Sequence, residues 1–338
     1  MSTSGFDKML EAVKSFPLQP AQCSAEFASE SLEIFQNIHR LVCCGMGGSA
    51  FPMEIVRAHI DCPVKIHRDY GDTLKVDDEG TLYLLLSFSG NTEEVLDCAE
   101  RLIASEAQIL VITNGGRLAL LAEKHNLPKL GFPPLPADFQ PRCATGYFLG
   151  LVFGVTDRLG LTNGASRLLT EACAWLQTEQ RNLQHRARKL CDTLGRDDVF
   201  LIAYPPYSET VGQIGRIKLN ENAKKLVHVG ALPKFNHNQM EAALAVEGDV
   251  GVVLLCSSEA FERKTVRLAT TGRLFERFGA AVEMVTLKGD SELAATLYGL
   301  WLLDFASLFL AELNDLDPMS IESIERFKLE LKRAGGSS

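Results

Sequence analysis

Short apolar runs that close on glycine, serine or threonine, each followed by a helix-forming segment, recur along this chain and dictate its architecture. The run TLYLLLS (81–87) has few polar residues and opens into the loop SFSGNT. The loop gives way to TEEVLDCAERLIASE, whose apolar residues fall at helical spacing. A strand apolar on both faces must be covered on both faces, and helices of ten or more residues between such strands make parallel βαβ units. The same order appears in LVCCGMGGSAF (41–51), read as strand, glycine turn and helix. PVKIHRD (63–69) reads as a strand, AQILVITNGG (107–116) as a strand ahead of the helix RLALLAEKHN, and LPKLGFP (127–133) as a short strand. Residues 6–40 carry apolar positions at helical spacing and read as helical.

A polar helical stretch over 165–194 leads to a second series: the strands DDVFLIAY (197–204), GDVGVVLLCSSEA (248–260) and AAVEMVTLKG (280–289). AQILVITNGG and AAVEMVTLKG share an alanine start, an apolar strand and a glycine-bearing turn, and VVLLCSSEAFE echoes YLLLSFSGNTEE. The chain therefore reads as two α/β sandwiches of one ancestry, each three layers (α-β-α) around a parallel, flavodoxin-like sheet. The second is degenerate, with most of its Gly-Ser chemistry lost. A length of 338 residues, 46% of them hydrophobic, suits two domains, placed at 1–160 and 161–338. The segment AATLYGLWLLDFASLFLAE is interrupted by Asp304 and reads as a buried helix rather than a membrane span.

A formal charge of -9 argues against a nucleic-acid surface, which needs clustered Lys and Arg. Nine cysteines without CxxC or CxxH spacing fit reduced thiols in a cytoplasmic protein. The start MSTSGFDKMLEAVKSF carries charges throughout and has no signal-peptide core. No His/Asp/Glu cluster has metal-ligand spacing, so no metal or other cofactor is expected.

In open α/β sheets ligands gather at the carboxyl ends of strands, where helix starts offer free N–H groups to an anion. Ser87 and Ser89 are two residues apart, so in extended chain their hydroxyls face one side. Gly90 permits positive φ or close backbone approach, and Asn91 or Thr92 begins the helix. Such a loop can hold a phosphate without lysine. It can equally be a helix start in which Asn91 caps and Glu94 completes a capping box. GMGGSA (45–50) is a second loop of this kind. It also matches GxGxxA, and Asp69 closes the next strand where a ribose-binding acid sits in dinucleotide enzymes. That reading leaves the second hydroxyl-rich loop without a role.

GMGGSA, SFSGNT, QPR (140–142), LNENAK (219–224) and NHNQ (236–239) stand in the order seen in sugar isomerase (SIS) domain proteins. Over residues 40–330 the chain resembles the bifunctional phosphoglucose/phosphomannose isomerases. The resemblance implies that Gly47, Gly48, Ser49, Ser87, Ser89 and Thr92 hold a sugar phosphate and that Arg142 sits beside C1 and C2. It implies Glu221 as catalytic base and His237 and Lys328 as the groups that open the sugar ring. It further implies two SIS domains per chain, a homodimer with shared active sites, and a place in glycolysis and gluconeogenesis. The family pattern HNE stands here as His237-Asn238-Gln239, which removes a negative charge beside the histidine.

Residue types fit that chemistry. Aldose–ketose isomerisation moves a proton between C2 and C1, which one carboxylate can do. A guanidinium stays charged and suits a developing enediolate, and a histidine can protonate a ring oxygen near neutral pH. From the residues alone each has a plain alternative. Glu221 could be a surface glutamate paired with Lys218, Lys224 or Lys225, Arg142 a helix-start arginine, His237 a solvated loop residue, and Lys328 an exposed position of the amphipathic helix IESIERFKLELKRA. His67, His125, His185 and His228 show no catalytic pairing. The expected activity interconverts glucose 6-phosphate and mannose 6-phosphate with fructose 6-phosphate. Its rivals are a non-catalytic phosphosugar-binding module, which needs the serine loops but not Glu221, Arg142 or His237, and an NAD-dependent oxidoreductase.

Overall fold

A computed structural model describes residues 4–23, 32–77, 79–205, 207–257 and 261–334. Helices α1 (Gly5–Lys14) and α2 (Gln19–Gln22) precede β1 (Arg40–Gly45), α3 (Gly47–Val56), β2 (Val64–His67), β3 (Thr81–Ser87), α4 (Glu93–Ala104), β4 (Gln108–Thr113), α5 (Gly116–Lys124) and β5 (Lys129–Leu130). Next come α6 (Thr145–Arg158), α7 (Ala165–Leu194), β6 (Asp198–Ala203), α8 (Tyr207–Ala223), β7 (Val227–Ala231), α9 (Gln239–Leu244) and β8 (Val250–Ser257). The chain continues through α10 (Glu262–Arg277), β9 (Ala281–Leu287), α11 (Glu292–Leu313) and α12 (Glu322–Ala334).

Both sheets are wholly parallel. The first has the order β2-β1-β3-β4-β5 and the second β7-β6-β8-β9. Counted along each half, both orders run second, first, third, fourth, and the first sheet adds a fifth strand. This is the flavodoxin-like order. Leu41, Leu82 and Leu110 lie on one side of the first sheet, while Val42, Tyr83 and Val111 face the other. The second sheet alternates in the same way: Leu201 and Val253 face inward, Phe200 and Val252 outward. Helices α4 and α5 cover the outer face of the first sheet, and α9 and α10 that of the second. The inner faces of both sheets share one continuous core built from α3, α6, α7, α8 and α11.

Helix α11 lies at the centre of that core. Every residue from Leu293 to Ala311 is buried, and the Trp301 indole donates to the Val13 carbonyl at 2.7 Å. It is a helix long and apolar enough to cross a membrane, and its apolar window is wholly buried inside the fold. It meets α8 closely: a Cβ on Gly215 would overlap the Leu303 side chain. At that contact glycine is needed for the backbones to approach.

The structure corrects three local readings. Among the described residues, the helical reading of 6–40 holds for the two helices ending at Gln22. Pro17 and Pro20 each begin a new helical turn instead of extending α1, residues 24–31 lie outside the described residues, and 32–39 are irregular chain with one short turn. The helical stretch KLNENAKKLV ends at Ala223, after which Lys224 takes a positive φ of 53°. Val227 begins β7, an edge strand absent from the sequence reading because its partly exposed pattern lacks a clean apolar run. Ser258, Glu259 and Ala260, which end the run read over 248–260, lie outside the described residues.

Candidate active site

Adjacent strands β1 and β3 send their helices to opposite faces of the first sheet, α3 inward and α4 outward. A crevice opens at such a switch point, and both Gly-Ser loops border it. The Phe88 amide donates to Ser49 Oγ at 3.3 Å and ties the loops together. Gly47 stands exposed at the start of α3 with φ +46°.

The SFSGNT loop is braced from within. Ser87 is buried, and its hydroxyl lies 2.8 Å from Thr92 Oγ1 while accepting from the Gly90 amide at 3.1 Å. Ser89 is exposed, and its hydroxyl accepts from the Asn91 amide at 3.2 Å. The two serines therefore do not present their hydroxyls alike, because the chain turns at Phe88 and Ser89 rather than staying extended. Gly90 has φ +64°, and a Cβ there would overlap the Gly115 carbonyl oxygen. The capping box at Asn91 and Glu94 does not form. Thr92 occupies the cap position with no side-chain capping bond, and Asn91 Oδ1 accepts instead from the Arg117 amide at 3.1 Å. The first amides of α4 thus have no side-chain cap.

Arg142 lies in the 3-10 turn Pro141–Cys143 just ahead of α6, its backbone against Gly48 in the first turn of α3. Its side chain is only 4% exposed. The guanidinium donates from Nε to Asn222 Oδ1 at 2.7 Å, from Nη1 to Gln140 Oε1 at 2.9 Å, and from Nη2 to the carbonyls of Pro318 and Met319. Nη1 also stands 3.5 Å from Glu221 Oε2. Glu221, 26% exposed, sits in the last turn of α8. Of the lysines read as partners for Glu221, Lys218 pairs instead with Asp304 at 2.8 Å, and Lys225 donates to the Asp197 carbonyl at 3.1 Å. Lys224 closes the end of α8, its ammonium donating to the carbonyls of Glu221 at 3.0 Å and Asp317 at 2.7 Å. Burial, followed by the nearby Arg142 charge, lowers its pKa. Burial pushes the neighbouring Cys143 thiol up to about 11.

The fold thus brings the α3 loop, Arg142 and Glu221 to one place, where the carboxyl edge of the first sheet meets the amino edge of the second. It does not bring His237 there. His237 is exposed on the 3-10 turn Lys234–His237, beyond the far end of β7. Five strand residues at about 3.3 Å each separate that turn from the end of α8. Lys328 lies on α12, which is exposed throughout. Three groups escaped the sequence reading as parts of the site: Gln140, Asn222 and the carbonyls of Pro318 and Met319. Gln140 and Asn222 stand inside motifs already singled out, but only tertiary structure aims them at Arg142. Among the described residues no group of three His, Cys, Asp or Glu side chains is placed to hold a metal ion.

Residues 183–331 match the bacterial phospho-glucose isomerase C-terminal SIS domain. The chain is 28% identical to a bifunctional phosphoglucose/phosphomannose isomerase of Caldicellulosiruptor bescii, covering 96% of this chain and 98% of that protein. It is 28% identical to a protein of the same name from Aquifex aeolicus, covering 87% and 90%. Among solved structures, a hypothetical protein from Thermus thermophilus superposes with a TM-score of 0.73 at 17% identity, covering 98% of this chain and 94% of the other, and shows the same fold.

Proposed function

We propose, from the premise that this chain belongs to the family of bifunctional phosphoglucose/phosphomannose isomerases, that it interconverts glucose 6-phosphate and mannose 6-phosphate with fructose 6-phosphate through a cis-enediolate. One observation carries the reading: Arg142 and Glu221 approach to 3.5 Å beside the first turn of α3, at the crevice bordered by the two hydroxyl-rich loops. A fixed cation next to a partly exposed carboxylate, within reach of an anion-binding helix start, is what a phosphosugar isomerase needs and what a mere binding module does not.

In this reading Ser49, Ser89 and Thr92, with the backbone at Gly47 and Gly48, hold the phosphate, and Ser87 braces the loop from below. Glu221 takes the proton from C2 of the open-chain aldose. The C2–H electron pair forms the C1=C2 bond, and charge gathers on the former carbonyl oxygen. Arg142, already anchored, stabilises that charge without reorganising. Transfer of the hydroxyl proton between O2 and O1 and return of the carbon proton to C1 complete the ketose. Because His237 lies across β7 from Glu221, ring opening falls to the partner subunit's His237 in a twofold dimer. An apolar stripe of Ile324, Phe327 and Leu331 on exposed α12 offers a surface for that second copy. Lys328 on the same helix would then come to the ring oxygen with the assembled site. We place the division between the SIS units at the turn between α6 and α7, giving 1–160 and 161–338. Nine free cysteines fit a cytoplasmic location.

Following fructose 6-phosphate by NMR without added nucleotide tests the reading. Appearance of aldose phosphates supports it. Binding without turnover points to a sensor, and turnover only with NAD points to a dehydrogenase. Repeating the assay with Glu221→Gln should reduce turnover about a hundredfold or more and abolish exchange of the C2 proton with solvent. Including glucosamine 6-phosphate and pentose phosphates defines the substrate class.

A further inference from the structure

Where α8 crosses α11, four polar side chains stand in an otherwise apolar contact. Lys218 and Asn222 are four residues apart on α8, and Asp304 and Ser307 three apart on α11, so each pair shares one helix face. All four are buried. They close a ring through Arg142. The Arg142 Nε donates to Asn222 Oδ1 at 2.7 Å. Asn222 Nδ2 donates to Ser307 Oγ at 2.9 Å, and the Ser307 hydroxyl donates to the Asp304 carbonyl at 2.7 Å. The Asp304 carboxylate pairs with the Lys218 ammonium at 2.8 Å, and that ammonium donates to the carbonyl of Arg142. The ring therefore grips the arginine at both ends, its peptide and its guanidinium.

Stability alone does not call for such a ring. Taking a lysine and an aspartate out of water costs several kcal/mol, which their attraction offsets only in part, and an apolar pair of similar volume is often as stable or more so. Burial pushes the Asp304 carboxyl up, against the opposing pull of Lys218 and Arg142. Helix α11 is buried from Leu293 to Ala311, and Asp304 is the one charged residue in that span. What the ring does hold is the guanidinium that stands 3.5 Å from Glu221.

We propose that Lys218, Asn222, Asp304 and Ser307 are positioning residues for the isomerisation, fixing Arg142 before substrate arrives. This rests on the roles read above for Arg142 and Glu221. None of the four touches the reacting atoms in this reading; they act through Arg142.

Steady-state kinetics with fructose 6-phosphate, alongside thermal unfolding, test the proposal. Asn222→Ala should lower kcat about a hundredfold while KM moves less than about threefold, the split expected when only transition-state geometry suffers. If that variant does not fold, Ser307→Ala carries the test: it removes one oxygen and should lower kcat several-fold at unchanged KM. The decisive comparison uses the ion pair. Lys218→Met strands a buried carboxylate and should lower the unfolding midpoint. The double variant Lys218→Met/Asp304→Leu should regain the midpoint but keep kcat at least about tenfold below wild type, because the Arg142 carbonyl has lost its anchor. Recovery of both stability and kcat in the double variant would reduce the ring to packing. Wild-type kcat in folded Asn222→Ala or Ser307→Ala would do the same. Failure of the underlying reading looks different: Glu221→Gln would then keep wild-type turnover, whatever the ring variants do.

Discussion

The two sheets repeat one strand order but expose different edges to chemistry. In the first, the crevice between β1 and β3 is furnished with Ser49, Ser89, Thr92 and two glycines at positive φ, Gly47 and Gly90. In the second, the helix that follows β8 begins behind Phe261, which makes no side-chain capping bond. The second half contributes instead the far end of α8, at the amino edge of its sheet, where Glu221 meets Arg142. Under the proposed function, two halves of like strand order divide one site between them. In the proposed reading one half supplies an anion-binding edge, and the other lengthens a helix until its last turn reaches Arg142. Helix α8 has 17 residues and its counterpart α3 has 10, which is the extension this arrangement requires.

The sharpest way to break this comparison is to mix subunits. Glu221 and His237 flank β7 at opposite edges of the second sheet, so the proposed dimer builds each site from two chains. Glu221→Gln and His237→Ala homodimers should each be nearly inactive. In a mixed dimer one site receives both defects and the other neither, so each mixed dimer should have about half the wild-type activity. With random reassortment of equal amounts, about half the dimers are mixed, and about a quarter of wild-type turnover returns. A mixture that stays inactive, with exchange confirmed by native mass spectrometry, would place both residues in one chain's site.

A smaller effect separates Gly90 in the furnished loop from Gly279, a glycine of the second half between α10 and β9. Gly90 and Gly279 both have positive φ, but only Gly90 has a neighbour where its Cβ would go. Gly90→Ala should displace the loop and weaken fructose 6-phosphate binding by more than about 2 kcal/mol, as an overlap adds to backbone strain. Gly279→Ala should cost about 1 kcal/mol of stability and leave binding alone. Calorimetric titration with the sugar phosphate reads the first, and denaturant unfolding reads the second. Equal loss of binding in both would remove the distinction between the two halves.

How far the sequence foretold this depends on what each residue answers to. The strands of the shared core were readable because they are apolar on both faces, as TLYLLLS is. Edge strand β7 was not, because VHVGA mixes exposed and buried positions. Serine and glycine marked SFSGNT as a loop at a strand end, the feature on which the proposed phosphate site rests. The internal use of Ser87 by Thr92 and Gly90 was hidden, because hydroxyl spacing says nothing of where a loop turns. Asp304 stood out as an interruption in an apolar helix, yet its partner lies 86 positions away in sequence on α8. Arg142 and Glu221 were singled out only through the resemblance. As residue types they match any charged pair, and it is the fold that buries one and half-buries the other.

Within the furnished loop, side-chain hydroxyls should matter less than its backbone. Ser89→Ala and Thr92→Ala should each weaken fructose 6-phosphate binding by about 1–3 kcal/mol, the scale of a hydrogen bond to a charged group. Thr92→Ala also frees Ser87, so it should fall at the upper end. If both variants bind as wild type does, the phosphate sits elsewhere and the first sheet has no anion-binding edge to contrast with the second.

The joint between α6 and α7 tests whether the halves unfold as one. Helix α7 starts at Gly164, which has no side chain to cap it. Asp157, in the last turn of α6, does so across the joint. Its carboxylate accepts from the Ala165 amide at 3.0 Å, the Ser166 amide at 2.8 Å and the Thr162 hydroxyl at 2.6 Å. Partial burial alone would raise its pKa, but those hydrogen bonds outweigh it and hold the carboxyl below its usual value. A carboxylate with a depressed folded-state pKa contributes stability that is complete above the unfolded value of about 3.9 and is lost as pH falls through the folded value. Asp157→Ala should therefore cost about 1–2 kcal/mol at neutral pH, the scale of a lost helix cap. The gap from wild type should close as pH drops below about 4. Because the two sheets share one core, a single unfolding transition should shift as a whole. Circular dichroism and tryptophan fluorescence report on it together, since Trp175 lies on α7 and Trp301 on α11. If the fluorescence transition moves while part of the helical signal stays in place, the halves unfold independently and the shared core couples them less than its continuity implies.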